Sequence, residues 1–365
     1  MEKFLIFWGG ITIYYPSILD LFYCNERRYL LKFCIIAEVR EAHPSVNLGE
    51  KVYNDYVSQK SMMDLANGIT NLGYDCKYLG GMEKLYQIYK NNSLSEDTIF
   101  INYNYGLPAQ YKRVQSPALL ELMQAQYSGA DPFASLLVND KAYCKKVLSN
   151  VNVSSPKGHL LCNVVDAKTF FASTNMILPL VIKPNMEGSS LRIDEHCFCN
   201  SYDAANEKVC NLLKEFPQIL VEEYIEGYEC TVWMIGNGTD FPFLKPLIIS
   251  SSHKYYFENK IFTLNDKSTH NRKYDLPSNI LPTLIVAKLE SLSKQIFNEL
   301  GLRDYARIDF RINNNKIYFL EANALPIFSK TSEIGAITQL YHISYDEICR
   351  ILVETLLKRL MSETN

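Results

Sequence analysis

Residues 305–323 read "YARIDFRINNNKIYFLEAN", two alternating runs on either side of three asparagines. Asn313, Asn314 and Asn315 are turn formers that tolerate left-handed backbone, so the stretch predicts a β-hairpin. Strict alternation puts Ala306, Ile308, Phe310, Ile312, Tyr318, Leu320 and Ala322 on one face, and Arg307, Asp309, Arg311, Phe319, Glu321 and Asn323 on the other. With a three-residue turn, Ile312 pairs with Lys316, Asp309 lies opposite Phe319, and Glu321 is a diagonal step of ~7–8 Å away. Two carboxylates and an amide oxygen on rigid strands make an oxygen-only set suited to Mg2+, which prefers hard ligands and keeps water and phosphate oxygens in its shell. Arg307, two residues from Asp309, is placed to neutralise a phosphoryl group or a carboxylate. A solvated hairpin face held by an Arg–Glu cross-strand pair explains the alternation equally well. It explains neither Asn323 nor the abrupt exit into "ALP".

A second stretch, "VIKPNMEGSSLRI" at 181–193, asks for a ligand in a different way. Val181 and Ile182 belong to an apolar run suited to an interior strand, and Pro184 cannot donate to a ladder, so Lys183 sits at a strand end. Gly188, Ser189 and Ser190 supply free N–H groups and hydroxyls, the materials of a nest for phosphate oxygens. An exposed turn with a solvated lysine is the plain alternative, and taken alone it is the favoured one.

The whole chain frames these motifs. Its 365 residues exceed one core, and ~100–200 residues per domain implies two or three domains. With 47% hydrophobic and 21% charged residues it is globular, and a net charge of −3 gives no field for gripping nucleic acid. Any phosphate it binds should be small. "MEKFLIFWGG" reads as a first strand and not a signal peptide, and no stretch approaches a membrane span. Ten scattered cysteines, with Cys197 and Cys199 the closest pair, read as reduced thiols of a cytoplasmic protein and not as a metal site.

Strands alternate with helices through the first third: "KFLIFWGG", a helix carrying Val57, Met62, Leu65, Ala66, Ile69 and Leu72 with Gly73 as its cap, then "MEKLYQIYKNN" and "TIFINYNYG". That β-α-β-α-β run favours a parallel sheet covered by helices. Residues 11–50 resist assignment apart from a possible strand in "LKFCIIAEV". Near residue 128 the pattern changes to a helix from about Asp140 and the strands "KGHLLC", "LPLVIKP", "QILVEEYIEG" and "ECTVWMIGN".

The hairpin, "VIKPNMEGSS" and "ILVEEYIEGYECTV" occur in the order and spacing of an ATP-grasp ligase, and the chain resembles the D-alanine–D-alanine ligase branch over roughly residues 100–355. The resemblance implies an α/β (α+β) ATP-grasp fold with a parallel-sheet pre-ATP-grasp domain at 1–127, a central subdomain at 128–227 and a C-terminal subdomain at 228–365. It implies that Lys141 and Lys183 contact ATP phosphates from two sides, with Ser189 and Ser190 in the phosphate loop. Glu222 would accept from the adenine amine, the backbone from Glu223 to Ile225 would meet the purine edge, and Glu229 would hold the ribose. Asp309, Glu321 and Asn323 would bind Mg2+, two ions in all, while Arg307 stabilises an acyl phosphate and the tetrahedral intermediate. Residues 250–275 fall where the family carries a lid, with Lys260 matching its lysine near the γ-phosphate; a long solvated loop is the alternative. Arg307, Lys260 and Ser189 stand closest to the chemistry.

Several departures bear on the substrate. Tyr14, in "GGITIYY", stands where the family has a Glu for the first amino acid's ammonium, and "NYNYGLPAQYKR" at 102–113 replaces its Gly-Glu-Asp-Gly loop. Ile327 replaces a glycine before Ser332, and Arg192 replaces another in the phosphate loop. The expectation is an ATP- and Mg2+-dependent carboxylate–amine ligase acting through an acyl phosphate on amino acids or peptides, its donor other than free D-alanine, in a pocket of Tyr14, Tyr103, Tyr105, Arg113 and Ser332. D-alanine–D-alanine ligase proper is the alternative, and an inactive nucleotide-binding scaffold is the reading from another class. The family's habit implies a homodimer.

Overall fold

The computed structural model of the protein describes residues 31–42, 56–188, 193–251, 254–259, 261 and 272–363. Among these, β1 (Lys32–Ile36), β2 (Asp75–Gly80), β3 (Thr98–Asn102) and β4 (Gln126–Tyr127) form a parallel sheet in the order β2-β1-β3-β4. Between the strands lie α1 (Gln59–Thr70), α2 (Met82–Lys90) and α3 (Gln115–Leu122). The central strand β1 comes from the "LKFCIIAEV" run; the expected opening strand at 3–10 lies outside the described residues. Phe33, Ile35, Ile99 and Ile101 pack on one face, Ile36 and Phe100 on the other, as a sheet covered on both sides requires. Ser58 caps α1 by accepting from the Ser61 N–H. The helix ends at Thr70 with Asn71 as its cap, so Gly73 (φ +90°) belongs to the turn after it and not to the cap.

A second sheet holds β5 (Gly158–Leu161), β6 (Leu180–Pro184), β7 (Phe198–Cys199) and β8 (Ile219–Glu223), antiparallel in the order β5-β8-β6-β7. Leu180, Ile182, Ile219 and Val221 bury one face against Ala167, Phe171, Ala205 and Val209. The helices over this sheet are Val164–Ser173 and Tyr202–Leu212.

The third sheet comprises β9 (Gly227–Asn237), β10 (Asp240–Ser251), β11 (Tyr256–Phe257), β12 (Arg272–Asp275), β13 (Asp304–Asn313) and β14 (Lys316–Asn323), ordered β12-β10-β9-β13-β14 with β11 beside β9. Every pairing in it is antiparallel. Strand β9 is buried on both faces. Cys230, Val232 and Met234 join the core beneath residues 283–299, while Trp233 and Ile235 join that of the first sheet and residues 345–363. Residues 132–149 share the former core through Ala134, Val138, Cys144 and Leu148.

The hairpin forms, in a different register from the expected one. Asn314 (φ +47°) and Asn315 (φ +62°) make a two-residue turn, so Asn313 pairs with Lys316. Left-handed backbone at both central positions gives a turn whose twist matches that of the flanking strands. A bulge follows: Phe310 pairs with Phe319, yet Asp309 pairs with Glu321, leaving Leu320 as the extra residue. Phe319 therefore enters the core beside Phe310, and Leu320 turns to the cleft, the reverse of the alternation. Each buried ring removes enough apolar surface from water to contribute ~1.5–3 kcal/mol. Among the described residues no helix is long and apolar enough to cross a membrane.

Candidate active site

The bulge aligns one face of the third sheet. Tyr305, Arg307, Asp309 and Arg311 alternate along β13, opposite Thr231 and Glu229 of β9 and Glu321 and Asn323 of β14. The Tyr305 end of that face is core, and the other end opens into a cleft of about 150 Å3. Lys183, Glu222, Ile225, Glu229, Arg272, Arg307, Asp309 and Glu321 all line it. Of the expected nucleotide and metal residues, Lys183, Glu222, Glu223, Ile225, Glu229, Asp309 and Glu321 thus line one cavity from two sheets, while Lys141 and Asn323 line a smaller pocket that shares Glu321.

On the second sheet Lys183 and Glu222 sit on paired strands, with Lys183 Nζ 2.6 Å from Glu222 Oε2. Lys145 engages the other carboxylate oxygen. Burial alone would raise Glu222, but the two ammonium groups hold it below the ordinary carboxylate value. Burial draws Lys145 down to about 8 against the pull of Glu222. Lys145 was missed; its spacing of four from Lys141 on one helix face was the available signal.

Asp140 starts the helix Lys141–Ser149 by accepting from the Tyr143 N–H, which puts Lys141 at the first position. Its ammonium donates to the carbonyls of Glu187 (2.5 Å) and Asn185 (3.3 Å), and Glu321 Oε2 lies 3.8 Å away. Asn185 locks this loop by donating to Asp140 and Gln218 and accepting from the Ala142 N–H. Glu223 turns its side chain aside to accept from the Ile177 N–H, which leaves its backbone and Ile225 toward the cleft. Glu229 pairs with Arg311 at 2.8 Å.

Asp309 accepts from Thr231 Oγ1 at 2.6 Å and from Arg307 at 3.1 and 2.9 Å. Burial would lower the Arg307 guanidinium, but Asp309 and Glu333 hold it above its ordinary value. Asp309 and Glu321 are cross-strand partners, and Asn323 lies on the same face. Among the described residues no group of three or more histidine, cysteine, aspartate or glutamate side chains converges; the Asn323 amide nitrogen donates to Asp309 Oδ2 at 3.4 Å, and with the amide turned over its oxygen would be a third donor beside the two carboxylates. An all-oxygen set with room left for water or phosphate fits Mg2+. The buried Cys197 and Cys199 belong to no such cluster.

The expected substrate residues are less uniform. Tyr103 is buried in the core, while the Tyr105 hydroxyl donates to the Leu325 carbonyl at 2.5 Å. Arg113 lies 3.8 Å over the Tyr105 ring and lines a smaller pocket with Lys141, Glu187, Glu321 and Asn323. Ser332 caps the helix Glu333–Leu340. Tyr14, Ser189, Ser190, Arg192 and Lys260 lie outside the described residues. Thr231, Arg272, Arg311 and Glu333 were not anticipated, since no local pattern announces a contact made across strands.

A family model described as "D-ala D-ala ligase C-terminus" matches residues 165–354. A curated D-alanine–D-alanine ligase from Carboxydothermus hydrogenoformans is 31% identical over 239 residues, 63% of this chain and 72% of that protein. One from Aquifex aeolicus is 26% identical over 84% of this chain and 98% of its own length. In fold, the chain is similar to the crystal structure of D-alanine–D-alanine ligase from Bacillus anthracis complexed with ATP, with a TM-score of 0.66 and 17% identity over 92% of this chain and all of that one. It is similar also to VanG D-Ala:D-Ser ligase from Enterococcus faecalis, with a TM-score of 0.64 and 17% identity over 89% and 99% of the two chains.

Proposed function

Because this chain belongs to the D-alanine–D-alanine ligase family and is an ADP-forming ATP-grasp ligase, we propose that it joins two molecules of D-alanine. The observation that carries the reading is the single cleft in which Lys183 and Glu222 face Arg307, Asp309 and Glu321. The donor carboxylate attacks the γ-phosphorus of ATP, ADP leaves, and the second amine attacks the acyl phosphate carbonyl with loss of phosphate. Lys141 and Lys183 neutralise the phosphates, and Arg307 neutralises the oxyanion that forms at the carbonyl. Mg2+ held by Asp309, Glu321 and Asn323 would supply charge neutralisation at the phosphates. Glu222 and the backbone of 223–225 hold adenine, and Glu229 holds the ribose.

The alternative weighed from the sequence thus becomes the main reading. The argument for another donor rested on Tyr14, outside the described residues, and on the 102–113 loop; the named relatives favour D-alanine. We place the reaction in the cytoplasm, a reading that the nine described cysteines, all free, support. A homodimer follows the same analogy.

Coupled detection of ADP, with mass spectrometry of the dipeptide, tests this. D-alanine alone should support ADP and phosphate release at a kcat/KM of ~10^4 M−1 s−1 or better. Turnover only with a larger or non-amino donor would restore the divergent reading, and AMP as product would sink the acyl phosphate.

A further inference from the structure

Arg307 stands between two carboxylates. Its Nε and one terminal nitrogen meet Asp309, while the other terminal nitrogen faces Glu333 Oε1 at 3.5 Å. Glu333 opens the helix 333–340 and is 8% exposed. The same oxygen accepts from the Tyr274 hydroxyl at 3.1 Å and lies 3.6 Å from Arg272. A carboxylate buried at the start of a packed helix contributes less to the core than an apolar side chain would, so its placement calls for another reason.

Asp309 supplies one. It is the bidentate partner of Arg307 and also the central oxygen donor of the cation set, with Thr231 already on one oxygen. A divalent cation drawn to Asp309 and Glu321 takes up the negative charge that Arg307 now uses and repels the guanidinium. A buried guanidinium then needs a second anion within reach, and Glu333 is in place. We propose that Glu333 is a positioning residue, a standby counter-ion that keeps Arg307 in the cleft when Asp309 engages a divalent cation. The inference rests on the reading of Asp309, Glu321 and Asn323 as the Mg2+ set. Without Glu333 the cation must evict an arginine whose other nearby carboxylate, Glu321, is itself in the proposed cation set, so the Arg307–Asp309 pair resists it.

The test is calorimetric ADP binding by the full chain across a Mg2+ titration, with melting followed by circular dichroism. Glu333→Gln keeps an acceptor for Tyr274 and removes the charge. It should raise the Mg2+ midpoint roughly 10-fold, as loss of partners behind metal ligands does. In a background of Arg307→Gln the same change should leave the midpoint within about 2-fold, because the competing cation is gone. An equal shift in both backgrounds, or a lowered melting point with no shift, would mean Glu333 is only structural. Should Glu333→Gln melt below the assay temperature, the pair Glu333→Gln with Arg272→Met, which removes one of the facing cations, takes its place in the cycle. Wild-type ADP affinity indifferent to Mg2+ would overturn the proposal through its metal premise. ADP binding needs no amino acid, so failure of D-alanine to support turnover would strike the proposed reaction alone.

Discussion

At the scale of single residues, Glu222 decides the electrostatics of the cleft wall that carries Lys183. It is 2% exposed and holds Lys145 and Lys183 together. Glu222→Gln leaves two buried ammonium groups without their anion, a change that costs about 3 kcal/mol or more. Lys145, already drawn to about 8 by burial, limits the loss because it can shed its proton. The pH dependence has a definite sign. With the folded-state pKa of Glu222 depressed, its stabilisation is present above the unfolded value of 4.5 and is lost as pH falls through the folded one. Urea unfolding should show a wild-type advantage over Glu222→Gln that is wide at pH 6 and closes below about pH 4.5. A gap independent of pH across that range would show that the lysines do not stabilise the carboxylate. The sequence suggested Glu222 and Lys183 through motifs. It hid Lys145, because a lysine on an amphipathic helix ordinarily points to solvent.

At the scale of the element, the hairpin shows what alternation can and cannot deliver. Its existence, the two faces of 306–312 and the placing of Glu321 and Asn323 on the side of Asp309 were legible in 305–323 because strand periodicity and asparagine turns are local, while Phe319 and Leu320 came out on the reverse faces. The bulge was not, since it is chosen by which partner lets both Phe310 and Phe319 reach the core while Glu321 stays opposite Asp309. The two phases predict opposite mutants. Phe319→Ala should cost about 3–5 kcal/mol of stability, as large-to-small core changes do. Leu320→Ala should cost under about 1 kcal/mol, an outcome ordinary for a half-exposed site, and raise KM for ATP a few-fold through its cleft contact. Denaturant midpoints and steady-state kinetics on the two variants separate the cases, and reversed phenotypes would mean the regular register is the one in solution.

At the scale of the whole molecule, the parallel first sheet was readable from strand–helix order and the ATP-grasp class from the resemblance of three motifs, but the meeting of the three sheets was not. The contacts that join them link residues far apart in sequence: Tyr105 to Leu325, Arg359 to Asp304 and the Tyr127 carbonyl, and Lys112 to Glu187. The last one bears on function. Gly106 (φ +77°) lets the 104–112 loop turn back on itself, since a Cβ there would meet the Lys112 carbonyl oxygen at 1.9 Å. Lys112, 4% exposed, then reaches Glu187 Oε2 at 3.0 Å, in the segment whose carbonyls Lys141 holds. This buried pair ties the loop after β3 to the chain after β6, on the side of Lys183. Lys112→Met keeps the length and apolar stem of the side chain and removes the tie, leaving the cleft lysines untouched. If the tie contributes ~1.4 kcal/mol to the arrangement that binds nucleotide, the competent fraction falls and apparent ADP affinity drops about 10-fold. Hydrogen exchange should quicken at 181–188 more than in β9, which is buried on both faces. Unchanged ADP affinity with faster exchange everywhere would instead make the pair a general stabiliser, with no part in presenting the segment to the nucleotide.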